Sequence, residues 1–176
     1  ASEGRLGIMV GGSASAFRAC EPILGTLGSK VIYVGEHGQG TTLKLIANLV
    51  MGVAIEAVAE PLVLATKVGI DPQLVIDITS IEGTGPRTGA METRGPRIIK
   101  RHFFPPHFSA NNMYKDLSAA LSLAEKAGVS LPAASVAREL LRAVKSQGHG
   151  AWDSCAVVQV LEAMAATEVG AASRGA

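Results

Sequence analysis

Aromatic rings are scarce in this sequence, at 4% of 176 residues, and charged side chains are sparse, at 18%. With so few rings to fill an interior, the core has to come from Ala, Leu, Val and Ile, which suits closely packed helices. The formal net charge is +1, which removes the electrostatic case for nucleic acid or an acidic membrane surface as a partner. The two cysteines, Cys20 and Cys155, match no metal or redox spacing. Both lie in apolar helical context, so buried free thiols, a reducing compartment and a cytoplasmic location are expected. No apolar run reads as long enough to cross a membrane, and no signal peptide opens the chain. The histidines give no metal-ligand spacing, so no metal is expected, and no Ser/His/Asp or Cys/His nucleophile arrangement can be argued. The chain starts at Ala1-Ser2-Glu3-Gly4 without an initiator Met, as a fragment would.

What is present is a globular composition, 48% apolar, on a chain long enough for one domain with an appendage. Residues 6–10 read as a short buried strand ended by Gly11-Gly12. Ser13 is placed to cap a helix carrying Phe17, Cys20, Ile23, Leu24 and Leu27, which Pro22 should bend or restart. Residues 30–34 read as a second strand, richer in β-branched residues. After a glycine-rich turn, residues 41–68 are helical and apolar on every side, which predicts a central column buried all round and kinked at Pro61. A helix at 72–80 follows Asp71-Pro72, then a Gly/Thr/Pro-rich loop with a short helical piece over 82–95. The basic cluster Arg94, Arg97, Lys100 and Arg101 reads as the solvated face of a helix. An irregular segment, Phe103 to Phe108, leads to Ser109, which caps an amphipathic helix carrying Met113, Leu117, Ala120, Leu121 and Ala124 and closed by Gly128. Two further helices run over 132–147 and from Asp153 to about Ala166, and the tail from Glu168 reads as frayed. Two short strands do not make an independently stable sheet, so their partners are expected in sequence this chain lacks, or in another chain.

The sharpest local feature runs from Gly38 to Asn48. Lys44 and Asn48 are four apart and share one helix face. A lysine in an apolar column near a helix amino terminus is pushed towards neutrality by desolvation and by the helix dipole, and can then exchange protons near neutral pH. Asn48 offers a donor and an acceptor to the same ligand. On spacing alone, a Lys44 that snorkels to solvent with Asn48 capping a loop explains the pattern equally well. A phosphate loop is a poorer reading, because Thr41 stands where the phosphate-binding lysine belongs. Lys115 and Asp116, with Asn111 and Asn112 one turn earlier, interrupt an otherwise Ala/Leu helix, and by themselves read as an exposed first turn.

These residues together resemble 3-hydroxyisobutyrate dehydrogenase and its β-hydroxyacid dehydrogenase relatives, whose helical half is similar to that of 6-phosphogluconate dehydrogenase. The segment from Gly4 through Met9-Val10-Gly11-Gly12 resembles the strand closing that family's nucleotide-binding half, and Gly38-x-Gly40-x-x-x-Lys44-x-x-x-Asn48 its catalytic helix. Phe108 with Lys115-Asp116-Leu117 resembles its second signature, and Gly148-His149-Gly150 with Asp153 its last helix start. The resemblance implies NAD or NADP as cofactor, held mainly by an amino-terminal Rossmann domain, and a small β-hydroxyacid as substrate. It implies Lys44 as general acid/base, Asn48 as a substrate ligand, Lys115 and Phe108 near the cofactor, Asp116 in support, and a homo-oligomer. The family's G-x-G-x-x-G turn and Ser-Gly-Gly substrate loop have no counterpart in these 176 residues, which alone should be inactive.

The expected fold class is therefore mainly α, a multi-helix domain around a long central helix. A two-stranded remnant of a dinucleotide-binding domain over residues 1–36 precedes the helical substrate and dimerisation domain over 37–168, with a tail at 169–176. A non-catalytic oligomerisation or interaction module is the competing reading. An unrelated helical binding domain leaves the two strands unexplained.

Overall fold

The computed structural model describes residues 6–83, 85 and 87–170. Gly4 and Arg5 of the first motif, and tail residues 171–176, lie outside the described residues. The elements are β1 (Gly7–Gly11), α1 (Ala14–Leu27), β2 (Lys30–Gly35), α2 (Gln39–Lys67), α3 (Pro72–Thr79), α4 (Gly89–Ile99), α5 (Ala110–Lys126), α6 (Pro132–Ser146), a 3-10 turn (Ser154–Ala156) and α7 (Val157–Ala165). The architecture is mainly helical, with a single two-stranded sheet among the described residues. The chain divides into two compact units, Ala1–Asn48 and Leu49–Ala176.

In the first unit, β1 and β2 pair in parallel, Gly7 opposite Lys30 and Met9 opposite Ile32, with the register slipping after Val10. Parallel strands need a crossover, and α1 supplies it. Ser13 caps α1 as expected, its hydroxyl accepting from the Ala16 amide at 3.2 Å. Pro22 does not restart the helix, which is continuous from Ala14 to Leu27. Phe17 stacks on Tyr33 at 5.0 Å, and the Tyr33 hydroxyl donates to the Gly12 carbonyl at 2.8 Å. No residue of α1 is buried, and Cys20 is exposed, against the expectation of a buried thiol. An apolar pattern marks the face that needs cover but does not supply the cover.

The second unit holds the core. Ile55, Ala59 and Leu62 of α2 pack with Ile98, Met113, Leu117, Leu141, Val144 and Val158 in one cluster. A Cβ on Gly52 would stand 3.0 Å from a Leu117 methyl, so glycine lets α2 and α5 approach closely. Local signals set the helix starts. Asp71 accepts from the Gln73 amide at 2.8 Å, Ser109 from Asn112 at 3.3 Å, and Thr88 opens α4 through Met91 at 3.1 Å. The short helical piece expected before Gly95 is the start of α4, which runs on through Pro96 to Ile99.

Four expectations need correcting here. α2 is not buried on all sides, since Val50 and Leu64 are each 63% exposed. An all-apolar helix needs more cover than the other helices of this unit supply. α2 is also long and apolar enough to cross a membrane by length and composition, its 18-residue window having a mean hydropathy of 1.8, although the buried Val58, Ala59 and Leu62 give its second half the packing of a core helix. The basic cluster is not a uniformly solvated face. Arg97 is buried against Asp153 at 3.2 Å, and Arg101 meets the buried Glu162 at 2.8 Å, while Lys100 is exposed. Nor does the tail fray at once, for Val169 is fully buried and its amide donates to Glu162 at 2.7 Å.

Candidate functional site

Lys44 and Asn48 sit on α2 one turn apart, both half-buried, and both belong to the first unit. The turn before them is fixed by glycine. Gly38 has φ +90, and a Cβ on Gly40 would stand 2.8 Å from the Met9 carbonyl oxygen, so only glycine lets the start of α2 lie against β1. Gln39 locks the entry, its side-chain oxygen accepting from the Glu36 amide at 3.0 Å while its own amide donates to the Glu36 carbonyl at 3.1 Å.

Phe108, Lys115 and Asp116 belong to the second unit. The Lys115 side chain is 70% exposed, with its ammonium 3.5 Å from Asp116, whereas Asp116 is buried. The reading of this stretch as an ordinary exposed first turn therefore fails at Asp116. It lies three residues after Met113 and four before Ala120, on the apolar stripe of α5, which spacing alone would have revealed. Phe108 is half-buried, and its carbonyl accepts from the Ser154 amide at 2.9 Å.

Asp153, read from sequence only as a helix start, ties three segments together. Its carboxylate caps the 3-10 turn that leads into α7 through the Cys155 amide at 3.0 Å, accepts from the His107 amide at 2.8 Å and pairs with Arg97. Burial alone would raise this carboxyl. The Cys155 amide and thiol, the His107 amide and the Arg97 charge outweigh that and hold it below the usual carboxylate range. Cys155 is pushed up by burial and then by the Asp153 charge, which makes it an inert thiol rather than a nucleophile. Glu56 is raised by burial and by neighbouring Glu60. No metal-binding group of His, Cys, Asp and Glu occurs among the described residues.

Residues 38–161 match the family described as NAD-binding of NADP-dependent 3-hydroxyisobutyrate dehydrogenase. The chain belongs to the 3-hydroxyisobutyrate dehydrogenase family. Residues 1–35 match, in addition, the NAD binding domain of 6-phosphogluconate dehydrogenase. A 2-hydroxy-3-oxopropionate reductase of Escherichia coli (strain K12) is 36% identical over 94% of this chain and 56% of that protein. The cytokine-like nuclear factor N-PAC of Anopheles gambiae is 32% identical over 89% of this chain but 27% of that protein. Among solved structures, 3-hydroxyisobutyrate dehydrogenase of Salmonella typhimurium superposes with a TM-score of 0.81 at 28% identity, covering 91% of this chain and 55% of that one. The chain thus spans about half the length of the curated dehydrogenases and reductases it matches.

NAD(P) is the cofactor of the 3-hydroxyisobutyrate dehydrogenase family. The residues here fit only part of such a molecule. The exposed Lys115 ammonium, braced by Asp116, suits an anionic or polar portion of it, but no G-x-G-x-x-G turn exists in the sequence to cradle a pyrophosphate.

Proposed function

We propose that this chain is the carboxy-terminal, helical half of an NAD(P)-dependent oxidoreductase that interconverts a β-hydroxyacid and its aldehyde or keto form. Residues 1–36 then close a Rossmann domain, and residues 37–168 form the substrate and dimerisation domain. The observation that carries this reading is the pair Lys44 and Asn48, half-buried one turn apart behind a glycine-locked turn, inside the stretch matched by the family. A bound nicotinamide would supply the hydride acceptor for oxidation and the hydride donor for reduction. Lys44 Nζ accepts the hydroxyl proton in oxidation and donates one in reduction. Asn48 orients the substrate so that proton transfer is effectively unimolecular, and Lys115 and Phe108 contact the cofactor, with Asp116 holding Lys115. Without the dinucleotide turn the 176 residues alone are inactive. The exposed apolar face of α2 is covered by a second copy in a homo-oligomer. A cytoplasmic setting keeps the exposed Cys20 thiol reduced.

The test uses the longer protein that contains the dinucleotide turn. Lys44→Ala lowers kcat by ~10²–10⁴-fold with cofactor affinity little changed, and Lys44→Arg fails as well because guanidinium does not cycle its proton. Lys115→Ala weakens cofactor binding more than it slows saturated turnover. Near-full turnover in Lys44→Ala, with loss of turnover in Lys115→Ala, reverses the roles. A second reading, a non-catalytic interaction module, draws on the likeness to N-PAC, a protein named as a nuclear factor. It predicts no turnover of any β-hydroxyacid by the longer protein and no effect of Lys44→Ala on self-association.

A further inference from the structure

The turn between α6 and the 3-10 segment carries two glycines, which are there for different reasons. Gly148 has φ +84, a conformation that favours glycine. Gly150 is buried and its φ is not positive, so its backbone would accept a side chain without strain. What excludes one is Asn111. A Cβ on Gly150 would stand 2.4 Å from Asn111 Oδ1 and 2.9 Å from both its Cγ and its Nδ2. The Asn111 carboxamide fills the space that any larger residue at 150 would need.

Local structure does not require that carboxamide. An asparagine near a helix start commonly caps it, but α5 is capped by other groups. The Ser109 hydroxyl accepts from the Asn112 amide at 3.3 Å. The Gly150 carbonyl accepts from the Asn111 amide at 2.9 Å, and the Trp152 carbonyl from the Ala110 amide at 2.8 Å. The first three amides of α5 are therefore occupied, and its start is no anion site. Alanine would be the better helix former at 111. The Asn111 side chain makes no hydrogen bond among the described residues, and the residue is exposed. An exposed carboxamide that the facing turn makes room for, yet that bonds to nothing around it, is a donor and an acceptor held ready for a ligand. It stands one helical turn before Lys115, on the same face of α5 and about 6 Å away along the axis.

We infer that Asn111 is a further cofactor ligand beside Lys115, bonding to an uncharged polar group of NAD(P), a ribose hydroxyl or the carboxamide, and that Gly150 is the positioning residue that leaves it in place. A neutral carboxamide matches a group with both a donor and an acceptor, whereas a phosphate is better met by a cation. The inference rests on the reading of Lys115 as a cofactor contact. The test titrates the reduced cofactor, NADH or NADPH, by its own fluorescence into the longer protein that contains the dinucleotide turn. Asn111→Ala weakens binding about three- to tenfold, the share of an uncharged hydrogen bond, with Tm unchanged because the residue is exposed. Gly150→Ala meets only the flexible end of the Asn111 side chain. The carboxamide is then displaced, the fold is kept, and binding weakens by about as much. In the double variant the two losses do not multiply, because the truncated side chain no longer meets the added methyl. Unchanged binding in Asn111→Ala alongside weakened binding in Lys115→Ala overturns this inference alone. Unchanged binding in both variants overturns it together with the cofactor reading of Lys115. Losses that multiply in the double variant remove Gly150 from the positioning role.

Discussion

The two units of this chain are built on opposite terms. In the first, the buried described residues are two glycines, Gly28 and Gly40, and a Cβ on either would stand within 3 Å of a backbone oxygen of Leu6 or Met9. Burial there comes from backbone lying on backbone, and Ile23 and Leu27 are left largely in water. In the second, burial comes from side chains, and the buried apolar residues from Ile55 to Val169 all belong to it. A two-stranded sheet with open edges and no buried side chain is marginal on its own. The lesson is that a local motif can be complete while the unit that carries it is not.

The largest effect expected to sharpen this contrast is at Asp153. Asp153→Ala leaves the buried Arg97 guanidinium unpaired and costs about 3–5 kcal/mol, measured by denaturant unfolding of the helical unit. The pH dependence has a definite sign. Because the folded carboxyl is held low, its contribution is complete above the ordinary Asp value of about 3.9 and is lost as pH falls through the folded value. A wild-type protein whose acid sensitivity matches that of Asp153→Asn would contradict this.

Next come matched leucine truncations. Leu62→Ala, at a fully buried position, costs about 2–5 kcal/mol. Leu27→Ala, 53% exposed, costs about 0.5 kcal/mol or less. Equal penalties in chemical denaturation would break the contrast between the units. So would amide exchange in a dilute monomer if β1 and β2 were protected as strongly as the 55–65 stretch of α2. The smallest effect is at Glu56. Its folded pKa is raised, so the strain grows as pH rises through that value, opposite in sign to Asp153. Glu56→Gln should therefore raise Tm slightly at neutral pH and not in acid, which a thermal melt at two pH values checks.

Much of this was legible because local chemistry announces local structure. Ser13, Asp71 with Pro72, and Ser109 cap where expected, and Gly128 ends α5 with φ +68. Lys44 and Asn48 shared a helix face in the sequence pattern, though that pattern left their exposure open. What stayed hidden was long-range. Nothing near Arg97 signals Asp153, nothing near Arg101 signals Glu162, and so a row of cations looked solvated when two of its members were committed elsewhere. Similarly, the all-apolar pattern of α2 stated what the helix requires of its surroundings, not what this chain supplies.

The way the chain returns after α7 has a consequence for anyone who engineers the protein. Ala166 adopts a left-handed conformation with φ 47, Val169 inserts into the core, and a Cβ on Gly170 would collide with the Ile99 carbonyl oxygen at 2.1 Å. The four residues from Thr167 to Gly170 therefore work as a latch that closes over the end of α4. In a saturation library Gly170 should tolerate almost nothing, since its φ of +76 and that carbonyl reject side chains together. A reporter or affinity handle spliced in ahead of Val169 would pull the latch open, whereas the same handle placed beyond Gly170 would leave it shut.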